Sequence, residues 1–351
     1  PVFMAGKDGY ASYRIPAIIR SPDGSLLAFC EGRVHNAGDF GNIDIVMKTS
    51  RDKGKTWSPL QVIVDVSDLQ AGNPAPVVDL TDPAYPGGRI FLFYNTGNNH
   101  EHEVRKGNGQ REVWYISSVD AGKTWSAPVN ITSQAHQPKL WRSYANTPGH
   151  AMQFSEGRFK GRIFVAANHS AGDPQAGFTD YNAHGFYTDD HGRSFRLGAT
   201  VAIPGSNEST AAQLSGDRLM MNSRNQRGDI RSRIVSISSD GGASWDTSYF
   251  NPQLPDPVNQ GSLLAIQKKK GKMILAFSNA ADTAQRNHLT LRFSDNDGLS
   301  WKNAKLIYAG TDPNIDYAAY SDLVLLGKNK LGILFEKDDY SSIVFIVETL
   351  H

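Results

Sequence analysis

Short runs of β-branched and aromatic residues, bounded by turn formers, recur along nearly the whole chain. Tyr13–Ile19, Ser25–Phe29, Ile43–Met47, Arg89–Phe93, Arg162–Ala166, Arg218–Met221, Met273–Phe277 and Leu331–Phe335 each read as a strand. Between them, clusters such as Ser21-Pro22-Asp23-Gly24 mark turns, and the lysines at 268–270 ahead of Gly271 read as a solubilising hairpin tip. No stretch of useful length places apolar residues at the helical period. The pattern predicts an all-β chain.

One turn is written five times. Ser50-Arg51-Asp52-Lys53-Gly54-Lys55-Thr56-Trp57 returns at Ser118–Trp125, Thr188–Phe195, Ser238–Trp245 and, with Asn296 in the Asp place, Ser294–Trp301. The pattern S-x-D-x-G-x-[ST]-[WF] suits a hairpin tip. The Asp and Ser/Thr side chains can bond the turn's own amides, the glycine supplies positive φ, and the aromatic pins the turn to the strands. Spacings of 50 to 70 residues between the copies match a four-stranded antiparallel blade with its loops. At roughly 58 residues per blade the chain holds about six, within the range of known propellers. A single six-bladed β-propeller spanning residues 1–351 is therefore expected, without a linker or second domain.

Composition narrows the partners. The formal charge of +1 lacks the basic excess used to neutralise a phosphate backbone, so nucleic acid is not expected. The longest apolar runs, Ile90–Tyr94 and Ile343–Val347, have strand length and fall far short of the roughly 20 residues of a membrane-spanning helix. Cys30 is the only cysteine, so an intrachain disulfide is excluded and packing alone must hold the core. A start at Pro1, with no charged-then-apolar leader, is expected of a mature or trimmed chain.

Chemistry enters with Tyr13-Arg14-Ile15-Pro16, which sets an arginine in a strand that otherwise reads as buried. A buried guanidinium needs an anion, either a core carboxylate or a ligand. This motif ahead of the repeated Asp boxes resembles the sialidases (neuraminidases), over essentially the whole chain. The resemblance implies that Arg14, Arg224 and Arg286 grip the carboxylate of sialic acid, as planar forks suited to bidentate bonds. It implies that Glu336 orients Arg14, that Arg33 faces the sugar 4-hydroxyl, and that Asp39 in the loop Glu31–Asp44 is the acid/base. Asp44 is the competing carboxylate, set in the following strand. Tyr320 resembles the nucleophile and Glu208 its base. Away from the resemblance, Arg224 and Arg286 read as surface arginines, Tyr320 as a half-buried propeller aromatic and Glu208 as a loop charge.

A tyrosine suits the chemistry. The anomeric carbon of a sialoside bears a carboxylate, which repels a carboxylate nucleophile, and sialidases with a tyrosine nucleophile are a recognised exception among retaining glycosidases. Its ordinary pKa near 10 then requires an adjacent base. Around this centre Asn73, in the stretch Asn73–Asp79, resembles the N-acyl side, with Trp114 or Trp141 offering apolar contact to the acetamido methyl, and Gln260 resembles a contact to the glycerol tail.

Other signals are discounted. His100-Glu101-His102-Glu103 lacks the i,i+4 spacing of a helical zinc site and reads as a solvated loop. Arg227-Gly228-Asp229 and the sequons at Asn130, Asn168 and Asn207 are short patterns expected by chance. The implied activity is retaining exo-α-sialidase action on sialylated glycoproteins, glycolipids and oligosaccharides, with no organic cofactor and no metal. The expected protein is a monomer, secreted or periplasmic. A trans-sialidase and a non-catalytic Asp-box propeller that only binds ligands stand as alternatives.

Overall fold

The computed structural model describes residues 1–269 and 271–350, which form an all-β, propeller-like structure. The lysine run expected at a hairpin tip reaches residue 270, outside the described residues; its flanking strands Gly261–Lys269 and Lys272–Ala280 pair as a hairpin. Among the described residues no helix is long and apolar enough to cross a membrane.

Antiparallel sheets follow one another along the chain. Ser12–Arg20, Leu26–Arg33, Ile43–Ser50 and Gln61–Val64 pair in succession, as do Gln70–Asp79, Arg89–Gly97, Arg111–Ser118 and Val129–Asn130. A single parallel pair, Ile43 with Gln70, joins these two groups into one eight-stranded sheet. Further sheets start at Trp141–Asn146, Ser206–Gln213, Gly261–Lys269 and Ala318–Gly327. The leading strands pack against one another in a closed circuit, and Ala318–Gly327 returns to Ser12–Arg20. Phe3–Met4 from the amino-terminal end pairs with Ser342–Ile343 and completes the outer edge of the last sheet.

The five boxes fold as the sequence predicts and sit between the third and fourth strands of their sheets. In the first, Asp52 Oδ1 accepts from Ser50 Oγ and Thr56 N, and Oδ2 from Thr56 Oγ1 at 2.6 Å, while Gly54 N donates to Ser50 Oγ. Four of the boxes also clasp the preceding group of strands around the circuit. Trp57 packs edge-on to Phe345, Trp125 to Phe29, Phe195 to Phe93 and Trp245 to Phe164. The glycine is fixed by the same contact: at Gly54, with φ of 88°, a Cβ would lie 2.1 Å from the Phe345 ring. The box is a turn and a clasp between groups of strands at once.

Candidate active site

Four leading strands deform at one end of the circuit, and Arg14, Asn73, Glu208, Arg224, Tyr320 and Glu336 lie at or opposite the deformations. Arg14 pairs with Glu31 and Ala17 with Phe29, leaving Ile15 and Pro16 opposite Cys30 alone. Similar bulges set Asn73 and Pro74 opposite Tyr94, Asn207 and Glu208 opposite Arg224, and Ala319 and Tyr320 opposite Glu336. A bulge bends its strand and re-aims the extra side chain, which is how side chains from separate sheets converge. Pro16, lacking an N–H, suits the first bulge. Ile15 there has φ of 62°, a sparsely allowed value for a β-branched residue, and its freed N–H donates to Glu336 Oε1 at 2.8 Å.

The convergence lines a pocket of about 270 Å³. Arg14, Arg224 and Arg286 face into it with Tyr320 and Glu208. Tyr320, 5% exposed, donates its hydroxyl to Glu208 Oε1 at 2.6 Å, and Arg224 Nη1 bridges Glu208 Oε2 at 2.8 Å and the Tyr320 hydroxyl at 3.0 Å. Glu336, fully buried beneath them, accepts from Arg14 Nε at 2.7 Å and from Tyr320 N at 3.1 Å. One carboxylate thereby ties the first and last bulges together. Burial, and then the charge of Glu208, push the Tyr320 phenol well above its ordinary value, while Arg224, Arg286 and Arg14 pull the other way.

Opposite stands Arg33, which donates to Glu31 Oε2 at 2.7 Å, to Ala37 O at 2.6 Å and to Asp39 Oδ1 at 2.7 Å. Glu31 Oε1 accepts from Asn73 N, so the carboxylate anchors both Arg33 and the bulge at Asn73. Asp39 lies in an exposed loop, its side chain 81% accessible. Desolvation raises its pKa, but Arg33, by charge and hydrogen bond, outweighs this and holds the carboxyl below the usual carboxylate range, with Arg14 and Arg286 adding to the effect. The remaining wall includes Glu101, Arg111, Tyr144 and Tyr181. Tyr181 donates to Glu101 Oε1 at 2.5 Å and Arg111 to Glu101 Oε2 at 3.3 Å.

Residues 24–333 match the BNR repeat-like domain family. A sialidase from Micromonospora viridifaciens is 32% identical across 94% of this chain and 50% of its own length. The chain belongs to the BNR repeat-like domain family. A sialidase from Bacteroides fragilis is 28% identical across 95% of this chain and 61% of its own length, so the chain spans only part of these two relatives. An exo-alpha-sialidase from Arthroderma benhamiae is 28% identical across 97% of the chain and 81% of its length. Among solved structures, the Hadza microbial sialidase Hz136 superposes with a TM-score of 0.85 at 26% identity, covering 99% of this chain and 68% of that one.

The pocket gathers most of the expected residues and leaves some out. Arg14, Arg33, Asp39, Asn73, Glu208, Arg224, Arg286 and Tyr320 line it, and Glu336 lies directly behind. Asp44 does not line it; burial raises its pKa, and it accepts from the Tyr10 hydroxyl at 2.6 Å. Trp114 does not line it either. Strand alternation sends Arg111 and Val113 to one face and Glu112 and Trp114 to the other, so Trp114 borders a separate cavity and donates Nε1 to Glu112 at 3.0 Å. Gln260 is 1% exposed and braces the backbone, donating to Ser321 O and accepting from Ser321 N, both at 3.0 Å. Of the stretch from Asn73 only the first end reaches the pocket; Asp79, at the far end of its strand, bonds His191.

Trp141 is also turned away, into an aromatic stack behind the Tyr144 wall. Its ring lies 3.7 Å from that of His169, near His136 and His184, and the Nδ1 atoms of His169 and His184 are 3.0 Å apart. Burial lowers the pKa of His136 to about 4, of His169 to about 3, and of His184 well below its ordinary value. His100–Glu103, read as a solvated loop, instead runs into a short helix over Glu101–Arg105 that delivers Glu101 to the pocket. Glu31, Glu101, Arg111 and Tyr181 were not expected there. Only Glu31, two residues before Arg33, carried a local signal.

Proposed function

We propose that the chain is a retaining exo-α-sialidase that hydrolyses terminal sialic acids from glycoproteins, glycolipids and oligosaccharides through a tyrosyl intermediate. The observation that carries this reading is the 2.6 Å bond from the Tyr320 hydroxyl to Glu208, set among three pocket-facing arginines. A phenol buried against a carboxylate has little other use for three cations. The charges match a ligand that brings its own anion to the anomeric carbon.

In the first step Tyr320 Oη attacks the anomeric carbon as its proton passes to Glu208, and the bond to the leaving oxygen breaks with a proton from Asp39. In the second, Asp39 takes a proton from water, the water oxygen displaces Tyr320, and the phenolate recovers its proton from Glu208. Arg14, Arg224 and Arg286 hold the substrate carboxylate throughout. Paired with Arg33, Asp39 is poised as the base of the second step. It becomes the acid of the first by taking up a proton as the bound sugar excludes water and draws it from Arg33.

At the level of the chain, the reading counts the eight-stranded sheet as two four-stranded blades sharing one bridge pair, giving six blades in a single domain over 1–351. It also takes the protein to be a secreted or periplasmic monomer. The test is proton NMR of a sialoside digest. Two displacements release the α-anomer first, and a fluorinated sialosyl fluoride, which slows breakdown of the intermediate, leaves one sialosyl mass on the peptide carrying Tyr320. A β-anomer as first product, or a label elsewhere, overturns the mechanism. Appearance of a new sialoside when lactose is added assigns transfer in place of hydrolysis.

A further inference from the structure

The arginines of the pocket are not held alike. Arg14 has Glu336 and Arg224 has Glu208, but among the described residues Arg286 has no carboxylate partner. Its protein hydrogen bond is to a neutral group: Arg286 Nη1 donates to the Tyr340 hydroxyl at 2.8 Å. That hydroxyl donates in turn to Asp316 Oδ2 at 2.6 Å. With its proton committed to Asp316, the phenol oxygen can only accept from Arg286. The same ring lies beneath Arg14, its centroid 4.0 Å from the guanidinium carbon.

Tyr340 reaches this place at the expense of backbone strain. Asp338, Asp339 and Tyr340 have φ of 49°, 49° and 62°, three consecutive non-glycine residues in the left-handed region. The turn is fastened from several sides. Asp338 N donates to Tyr317 O at 3.1 Å, Asp339 N to Asp316 O at 2.9 Å, and Asp339 Oδ1 accepts from Asp316 N at 2.7 Å. The Tyr308 hydroxyl and Lys337 hold the Asp338 carboxylate. Strain of this kind persists where the surroundings over-determine it, and it clusters at functional sites.

We propose that Tyr340 is a positioning residue that aligns Arg286 and Arg14 for the substrate carboxylate without neutralising Arg286. A carboxylate in its place would fix Arg286 equally well but would compete with the ligand's own anion. A phenol aligned by Asp316 supplies direction and leaves the positive charge for the ligand. The ring beneath Arg14 fixes the plane of that guanidinium while its edge stays free.

The inference rests on the sialidase reading, so its test has one arm that does not. Tyr340→Phe keeps the ring under Arg14 and removes only the hydroxyl. With an aryl sialoside, KM and the Ki of a flat, unsaturated sialic acid analogue should each rise about tenfold while kcat changes less than about twofold. In an Arg286→Ala background the same change should add less than about twofold, because Tyr340 acts there through a missing partner. Asp316→Asn should move KM in the same direction. The independent arm is the Arg286 Nε–Hε resonance in the unliganded protein, assigned by its loss in Arg286→Ala. It should be sharp in the parent chain and exchange-broadened in Tyr340→Phe. Broadening supports the positioning role even if no sialoside is bound or cleaved, and in that case it is the sialidase reading that fails. An unchanged resonance, or unchanged KM and Ki in an active Tyr340→Phe enzyme, overturns the proposal.

Discussion

Acidification should weaken the fold through the histidines behind the pocket wall. His136, His169 and His184 are 4%, 2% and 0% exposed and stack with Trp141 and Tyr144 as neutral rings. Their ordinary pKa is 6.5, and burial takes them to about 4, about 3 and well below. A base with a depressed folded pKa binds its proton more readily in the unfolded chain, so stability is intact above 6.5 and drains away as pH falls from there. At about pH 5 the difference is about 2 kcal/mol per histidine, or about 6 kcal/mol for the three, a large share of an ordinary domain's stability. His150 acts in the opposite sense. Burial would lower its pKa, but the Asp322 carboxylate at 2.7 Å raises it, so its contribution is full at acid pH and offsets part of the loss. Carboxylates held low, such as Asp79, lose their contribution only below their ordinary 3.8, outside this window. Urea unfolding followed by tryptophan fluorescence at pH 7 and pH 5 measures the loss. His136→Phe keeps the ring and removes a titrating group whose Nδ1 has no partner, so it should shrink the loss by about 2 kcal/mol. Equal stability at the two pH values, or an undiminished loss in His136→Phe, refutes the reasoning.

Other outcomes follow from the site and the boxes. Gly242→Ala places a Cβ 2.3 Å from the Phe164 ring at φ of 91° and should lower stability by about 2–4 kcal/mol, whereas Gly216→Ala, at φ of 66° with open space around it, should lose only about 1 kcal/mol in a urea melt. Arg33→Gln removes the charge that holds Asp39 low; the Asp39 pKa should rise and the basic limb of kcat/KM for natural sialosides should move to higher pH, a stationary limb counting against Asp39 as the acid. Asp39→Ala should abolish hydrolysis of natural sialosides yet spare aryl sialosides, whose phenol leaves with little help. Tyr320→Phe and Glu208→Gln should each remove most activity, and the double variant should be no worse than Tyr320→Phe, since both disable one nucleophilic unit; additive losses would separate them.

What the sequence disclosed depended on how far apart the interacting groups lie along the chain. The boxes were legible because their bonds are local: Asp52 speaks to Ser50 and Thr56, and the same grammar returns at four other turns. Arg14 was conspicuous because it is a charge in a strand, Tyr13–Ile19, that otherwise reads as buried. Glu336 and Tyr320, by contrast, meet partners 322 and 112 positions away, and only a family resemblance could bring them together. Trp114 and Gln260 went astray for a related reason. A strand offers two faces, and nothing in the residue itself says which one meets the pocket. Glu101 was passed over because its histidine-rich neighbourhood was weighed as a metal motif, whereas its place is set by Tyr181, 80 residues on. Tyr340 had no signal, since its turn departs from common turn chemistry by holding three non-glycine residues at positive φ.

The bulges explain why a site of this charge can sit at the centre of a packed ring. Leading strands with regular pleats would present apolar side chains to one another, as Val77, Ala211 and Leu323 do farther along the same strands. One extra residue near the start of each of four leading strands shifts the alternation and turns polar groups inward without disturbing the core beyond. The charges so introduced are expensive to bury alone, and Arg14, Arg224 and Arg33 therefore carry carboxylates before any ligand arrives. Those partners also limit the pull the site can exert, because a neutralised arginine attracts a second anion weakly. Arg286 is the exception, held by Tyr340 in place of an acid. An incoming carboxylate should accordingly be drawn first to Arg286 and then shared with the edges of Arg14 and Arg224. Attraction is thus concentrated on one side of the pocket and rigidity on the other, an asymmetry that should orient an anionic ligand as it enters.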